Sequence, residues 1–119
     1  MMISILFWNV QGAASGNFRH SFKTIVKNYN PSIVVFMEPR VSGMKADEFI
    51  KKNGFEFSHR VEAVGFSRGI WLLWQNCVEV ELVINHRQFI HFKVCRNNIF
   101  VSWVTAVYAS PNLMLQRQF

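Results

Sequence analysis

Two apolar runs, ISILFW at residues 3–8 and IVVFM at residues 33–37, decide the fold class of this chain. Near-continuous apolar sequence of this length is typical of strands that are buried on both faces, as in parallel sheets. Between the runs, a stripe at helical spacing predicts a helix that starts at an Asn17 cap and ends at Asn30-Pro31. The stripe consists of Phe18, Phe22, Ile25, Val26 and Tyr29. Residues 3–38 therefore predict a β-α-β unit with two parallel strands and a right-handed crossover.

The rest of the chain predicts one short helix followed by strands. Residues 44–53 carry the i,i+4 pairs Asp47–Lys51 and Glu48–Lys52, and Gly54 is a natural helix stop. Beyond it, five segments joined by short turns are rich in aromatic and β-branched residues, which indicates an antiparallel meander. They are residues 55–61, 70–74, 78–84, 89–94 and 99–108. The predicted fold class is α/β, an α+β sandwich in which two helices flank a mixed sheet.

Composition limits the class of protein and the chemistry open to it. The chain has 119 residues, enough for one domain, and 50% of them are hydrophobic, which excludes a disordered, collagen-like or coiled-coil protein. The formal net charge is +6, which favours polyanionic partners such as nucleic acid. Asp47 is the sole aspartate. Any mechanism that needs two or more aspartates is therefore excluded for this chain alone.

Cysteine usage and hydropathy indicate an intracellular protein, nuclear or cytoplasmic. Cys77 and Cys95 lie 18 residues apart without a CxxC motif, so we expect two reduced thiols rather than a zinc cage or a disulfide framework. Residues 1–8 are apolar but lack the basic start of a signal peptide. No run approaches the ~20 apolar residues of a membrane helix, so we expect no membrane partner.

Polar side chains stand at the ends of both apolar runs. Asn9 follows the first run and Glu38 follows the second. In an open sheet the carboxyl ends of parallel strands line the ligand crevice, so neighbouring strands would bring the two side chains together. One carboxylate with an amide suits Mg²⁺, which keeps most of its water ligands. The alternative interpretation is structural: Asn9 starts a turn and Glu38 is a solvated strand exit before Pro39.

A basic stripe lies on the predicted first helix, opposite the apolar stripe. Arg19, Lys23 and Lys27 recur every four residues. The solvated face of an amphipathic helix explains them, and a surface that contacts a nucleic-acid backbone is the alternative. Residues that bind nucleic acid therefore stay unknown at this point.

Several short motifs occur in an order and at a spacing that indicate a family. They are WNVQG at residues 8–12, VVFMEP at 34–39 and YASPN at 108–112, with EPRVSG at 38–43, SHRVEA at 58–63, GFS at 65–67 and GIWLLW at 69–74. In this order and spacing the chain resembles the endonuclease/exonuclease/phosphatase superfamily, which has the deoxyribonuclease-I-like fold. It looks most like the endonuclease domain of plant LINE-type non-LTR retrotransposons. The resemblance spans essentially the whole chain and implies the N-terminal half of a four-layer fold.

The resemblance also implies roles for three residues. Glu38 matches the glutamate that binds the divalent metal, usually Mg²⁺ with Mn²⁺ possible, and Asn9 matches the asparagine that supports the metal and phosphate site. Tyr108 matches the active-site tyrosine whose hydroxyl lies near the scissile phosphate. The implied reaction is hydrolysis of a DNA phosphodiester that leaves a 3′-hydroxyl, with the metal stabilising the leaving oxygen.

Parts of the family pattern have no match in this chain. The second half of the superfamily's domain supplies an Asp-x-Asn motif, a further aspartate and a terminal Asp-His pair, which orient and activate the attacking water. We therefore expect residues 1–119 to form a single incomplete domain that needs the missing C-terminal half for a complete site and is inactive alone. The alternative is a non-catalytic remnant of a retrotransposon-derived reading frame with at most weak nucleic-acid binding. We also expect a lone half to expose an apolar sheet face and to be poorly soluble.

Overall fold

Two helices and seven strands form the part of the chain that the computed structural model describes, namely residues 3–10, 16–37, 39, 43–61, 69–86 and 88–107. In chain order they are β1 (Ile5–Asn9), α1 (Gly16–Tyr29), β2 (Ile33–Met37), α2 (Gly43–Lys52), β3 (Phe57–Val61), β4 (Ile70–Trp74), β5 (Glu79–Asn85), β6 (Phe89–Arg96) and β7 (Ile99–Val107).

The first sheet has the strand order β1-β2-β4-β3. β1 and β2 are parallel neighbours, with Ile5 opposite Ile33, which confirms the predicted β-α-β unit. β4 pairs antiparallel with both β2 and β3 and so occupies an inner position of the sheet. This position explains its composition, because the strand IWLLW is buried on both faces apart from its last residue, Trp74.

Both helices pack on one face of this sheet through an aromatic cluster. Phe22 of α1 is fully buried, and its ring lies 4.9 Å from that of Phe36 on β2. Phe49 of α2 lies 5.5 Å from Trp71 on β4. The predicted apolar stripe is wrong at its last member, since Tyr29 is 76% exposed. Tyr29 is the last residue of α1, directly before the reversal of the chain, and a phenol tolerates water at its polar end.

The helix ends follow local backbone chemistry. α1 ends where Asn30 adopts a positive φ of 44° before Pro31, and α2 is followed by Gly54 with a φ of 78°. α1 begins at Gly16, so the expected cap Asn17 lies inside the helix. Asp47 of α2 forms an ion pair of 3.1 Å with Arg60 on β3, which connects the helix to the sheet. Asp47 is also the residue four positions before Lys51 in the expected i,i+4 pair.

The second sheet, with the order β5-β6-β7, is an antiparallel meander of the last three of the five predicted segments. The prediction is wrong for the first two segments, because β3 and β4 pair within the first sheet, where β4 lies beside β2. The second sheet packs against the other face of the first sheet, where Ile33 and Leu72 join Phe92 and Val94 in a second buried cluster.

The apolar side chains that stay exposed, such as Ile99, Val101 and Trp103, lie on the second sheet, and the first sheet is covered. The reason is that residues 79–107 fold back as a sheet of their own and cover it, so both faces of β2 and β4 are buried within this chain.

Two further features bear on the sequence expectations. Cys77 and Cys95 are free thiols, but both are half-buried rather than core residues. None of the helices in the described part of the chain has the length and apolar content needed to span a bilayer.

Candidate functional site

The parallel pairing of β1 and β2 fixes the surroundings of Asn9. Asn9, the last residue of β1, is the register partner of Met37, the last residue of β2. The backbone N–H of Val10 donates a hydrogen bond of 2.8 Å to the carbonyl oxygen of Met37, so the pairing continues past the strand end. The Asn9 side chain is exposed. The exposed amide group of Asn9 therefore lies beside the C-terminal end of β2.

Packing on the opposite side of the sheet holds Asn9 in place. Side chains alternate along a strand, and Trp8 points into the aromatic cluster under the helices. The Trp8 ring lies 5.1 Å from Phe18 on α1 and 6.3 Å from Phe36 on β2. Asn9 therefore shares the face of Met37, which belongs to the cluster between the two sheets. Packing of Trp8 under the helices thus fixes the end of β1, and the polar Asn9 follows it directly.

The end of the first sheet that carries Asn9 is also where β3 ends. Val61 of β3 is opposite Ile70 of β4, which in turn is opposite Met37. At the other end of the sheet, Phe57 of β3 is opposite Trp74. β1, β2 and β3 thus run in the same direction and end in one row.

In the second sheet, β5 and β7 run toward this row of strand ends. β5 begins soon after Trp74, at the far end, and its last residue, Asn85, lies 3.1 Å from His59 in the middle of β3. β5 therefore runs toward the Asn9 end. β7 runs the same way, because β6 is antiparallel to both β5 and β7. Its last residue, Val107, consequently lies toward the end of the sandwich at which β1 and β2 finish.

The structure describes one of the three predicted site residues. Asn9 is at the strand end that the sequence predicts, and β1 and β2 are neighbours, which was the condition for Asn9 and Glu38 to approach each other. Glu38 follows Met37 directly in the chain, and Tyr108 follows Val107 directly, but both lie outside the described residues. Among the residues that are described, no three His, Cys, Asp or Glu side chains form a cluster able to hold a metal.

Histidine contacts are the polar features that sequence reasoning missed. His59 pairs with Asn85, and Nδ1 of His91 lies 2.7 Å from Oγ1 of Thr105. Neither partner is an acid, and the partners are 26 and 14 residues away in the chain. The spacing of histidines and carboxylates therefore carries no signal for these pairs, which exist only once the strands are in register.

The basic stripe of α1 is exposed along its length. Arg19, Lys23 and Lys27 are all exposed, and the helix contains no acidic residue. The stripe lies opposite the buried Phe18 and Phe22, as the amphipathic pattern predicts. This face adds positive potential to the outer surface of the helical layer.

The comparison with solved structures identifies the fold. A search of solved structures gives AP endonuclease LMAP from Leishmania major with a TM-score of 0.64 and 10% sequence identity, over 91% of this chain. The two chains share a fold. At this identity the likeness concerns the fold alone, and the fold is that of the deoxyribonuclease-I-like nucleases expected from the motifs. The chain spans 40% of the length of the Leishmania protein.

Sequence comparisons add no narrower assignment. No family model matches the chain, and no curated protein matches it. The expected fold class, an α+β sandwich with two helices and a mixed sheet, is confirmed by the structure and by the shared fold. The narrower expectation of a LINE-type retrotransposon endonuclease stays a prediction.

Proposed function

We propose that this chain is the N-terminal part of a Mg²⁺-dependent phosphodiesterase domain that acts on DNA and is inactive alone. The observation that carries the proposal is the register of Asn9 with Met37, because it sets an exposed amide beside the residue that precedes Glu38. The shared fold with an AP endonuclease supports the class of reaction. The LINE-type origin belongs to the same proposal and rests on the motifs alone.

The chemistry of the donors fits a hard cation. Asn9 offers an amide oxygen and Glu38 a carboxylate, and Mg²⁺ binds such oxygen ligands while keeping several waters. When bound, the metal would supply positive charge that stabilises the leaving oxygen of the phosphodiester. In this proposal Glu38 binds the ion and Asn9 orients its surroundings.

Tyr108 has a separate role in the proposal. Its phenol would donate a hydrogen bond to a nonbridging phosphate oxygen as negative charge builds on it. The direction of β7 supports this role, since Val107 precedes Tyr108 and lies toward the same end of the sandwich as Asn9.

The motifs of the resemblance assign no general base to residues 1–119, and we therefore expect no activity from them. The groups that activate water in the superfamily belong to its second half, and Asp47 of this chain is held by Arg60 on the side of the fold covered by α2. Loss of a general base costs roughly 10²–10⁴-fold in rate. A complete site would thus need the C-terminal half of the domain, and both halves would bind the nucleic-acid substrate.

Metal binding can be tested without catalysis, using Mn²⁺ as the probe. We expect Mn²⁺ to broaden the amide NMR signals of Asn9 and Val10 before those of the second sheet, because a paramagnetic ion affects nearby nuclei most. Glu38→Gln should abolish this selective broadening, and Asn9→Ala should weaken Mn²⁺ affinity roughly tenfold or more. Glu48→Gln is the matched control, since Glu48 is an exposed carboxylate on α2.

The outcomes separate metal binding from activity. Equal broadening in wild type and Glu38→Gln would refute the metal site. In a plasmid-nicking assay with Mg²⁺, we expect wild type to give no more nicking than Glu38→Ala. Nicking by wild type that Glu38→Ala removes would show that the chain is competent alone. No Mn²⁺ effect combined with no nicking would favour the non-catalytic remnant.

A further inference from the structure

The exposed surface of α1 carries a row of three cations, Arg19, Lys23 and Lys27, which we call the α1 stripe. Its members recur every four residues, so each is turned by about 40° from the one before and all three lie within an arc of about 80°. With a rise of about 1.5 Å per residue, the stripe is about 12 Å long. The α1 stripe is therefore a nearly straight row of positive charge.

The charge of the α1 stripe is not balanced within its own helix. α1 contains no acidic residue, so this one helix supplies half of the net charge of +6. Among the described residues, no acidic side chain forms an ion pair with a member of the stripe. α2 is an internal comparison, because its lysines are interspersed with Asp47 and Glu48, as is usual on a solvated helix face. Solvation alone therefore does not account for a helix surface of a single sign.

The α1 stripe begins near the end of the first sheet that carries the candidate site. The ring of Phe18, in the first part of α1, lies 5.1 Å from that of Trp8, the residue before Asn9. Past the other end of α1, the backbone N–H of Ser32 donates a hydrogen bond of 2.9 Å to the carbonyl oxygen of Ser4, which precedes β1. The stripe thus runs from the candidate-site end of the sheet toward the opposite end, on the outside of the helical layer.

The surroundings of the α1 stripe favour one class of polyanion. Phe18 and Phe22 are buried in the aromatic cluster, so α1 has no free apolar face to insert into a lipid surface. The exposed aromatic residue of α1, Tyr29, lies about 160° around the helix from Lys27, so no ring stands among the cations for bases to stack on. A row of cations without stacking rings fits the phosphates of a duplex better than it fits a single strand.

We propose that the α1 stripe binds the phosphate backbone of duplex DNA, which continues along α1 from the candidate site. The inference rests on the proposed action on DNA and names the surface that holds it. The length of the stripe corresponds to about three to four phosphates of one strand along the duplex axis. Contacts to phosphates carry no direct sequence information, so this surface positions DNA of any sequence.

Two glutamine variants with the same net charge test the surface. The α1 variant removes the stripe through the changes Arg19→Gln, Lys23→Gln and Lys27→Gln. The α2 variant removes three exposed lysines of α2 and is the matched control, with the changes Lys45→Gln, Lys51→Gln and Lys52→Gln. Binding of a short labelled DNA duplex is measured by fluorescence anisotropy over a range of salt concentrations. EDTA is present throughout, so the result does not depend on a metal.

The expected result is a loss that is specific to one helix. The α1 variant should bind the duplex roughly tenfold or more weakly than wild type, and the slope of log Kd against log salt should fall by about 2.7 for three lost phosphate contacts. The α2 variant should keep the wild-type slope to within about one. Circular dichroism melts check that both variants fold.

A second measurement uses the unaltered protein. Acetylation of lysines, read by mass spectrometry, reports which side chains DNA covers. We expect the duplex to protect Lys23 and Lys27 and to leave Lys51 and Lys52 as reactive as in free protein.

Several results would overturn the proposal. Equal losses in both variants would show that binding follows net charge rather than the α1 stripe. Unchanged binding by the α1 variant, or wild type that binds anionic vesicles but not DNA, would refute the surface or its partner. Tighter binding of a single strand than of the duplex would refute the choice of duplex. Failure of the proposed function is detected separately, because the metal site is tested with Mn²⁺ and Glu38→Gln.

Discussion

The Nε2 atom of His59 on β3 lies 3.1 Å from Oδ1 of Asn85, and this contact joins the edges of the two sheets. Asn85 is the last residue of β5, and His59 is two residues from the end of β3. The contact therefore places the end of β5 close to the end of β3, at the edge of the packed sheets.

We predict that the two side chains are energetically coupled. Because the hydrogen bond is exposed, a double-mutant cycle with His59→Ala and Asn85→Ala should give a coupling free energy of about 0.5–1 kcal/mol. Urea denaturation of the four proteins measures it. A coupling of zero would mean that the contact does not contribute to sheet packing in solution.

The aromatic cluster is predicted to carry much of the stability. Phe22 is fully buried against Phe36 and Phe49, so Phe22→Ala should lower the free energy of unfolding by about 3–5 kcal/mol. Tyr29→Ala is the control on the same helix, and it should change stability by less than about 0.5 kcal/mol because Tyr29 is exposed. Similar losses for both variants would contradict the observed boundary of the core.

The turn between β6 and β7 depends on left-handed backbone. Asn97 and Asn98 have φ values of 52° and 65°, as a two-residue hairpin turn of type I′ requires. Asn98→Ala should therefore cost about 1–2 kcal/mol, whereas Asn98→Gly should be neutral or stabilising. The backbone N–H of residue 98, which donates to Glu79, is kept in both variants. A higher melting temperature for Asn98→Ala than for Asn98→Gly would contradict this turn.

The ion pair between Asp47 and Arg60 is predicted to matter little for stability. Asp47 is 65% exposed in its side chain, so solvent screens the attraction. Asp47→Asn should lower stability by less than about 1 kcal/mol, and the difference from wild type should shrink at high salt. A loss that salt does not reduce would point to a role of Asp47 other than charge pairing.

Local signals predicted most elements of this fold. The continuous apolar runs of β1 and β2 gave the parallel pair, and Asn30-Pro31 and Gly54 marked the ends of the helices. These features depend on backbone conformation and on burial of single segments, so neighbouring residues are enough to reveal them. The stripe failed at Tyr29 because periodicity does not show where a helix loses its packing partner.

The candidate site was only partly within reach of the sequence. The residue types at the ends of the two runs pointed to Asn9 and Glu38, and the parallel register then set Asn9 beside Met37. The coverage of the first sheet by the second could not be read from the chain, since the buried cluster between them holds residues as far apart in sequence as Leu72 and Phe92. For this reason the sequence did not show which sheet is covered and which one keeps exposed apolar side chains.

By itself, the sequence determined the elements: the order of helices and strands, their turns and the polar groups that end them. These depend on local backbone preference and on the pattern of apolar side chains. Tertiary structure alone decided that β4 enters between β2 and β3, that the meander covers the first sheet and that β7 is left at an edge. Strand pairing decides these features, and it depends on which distant segments together bury the most apolar surface.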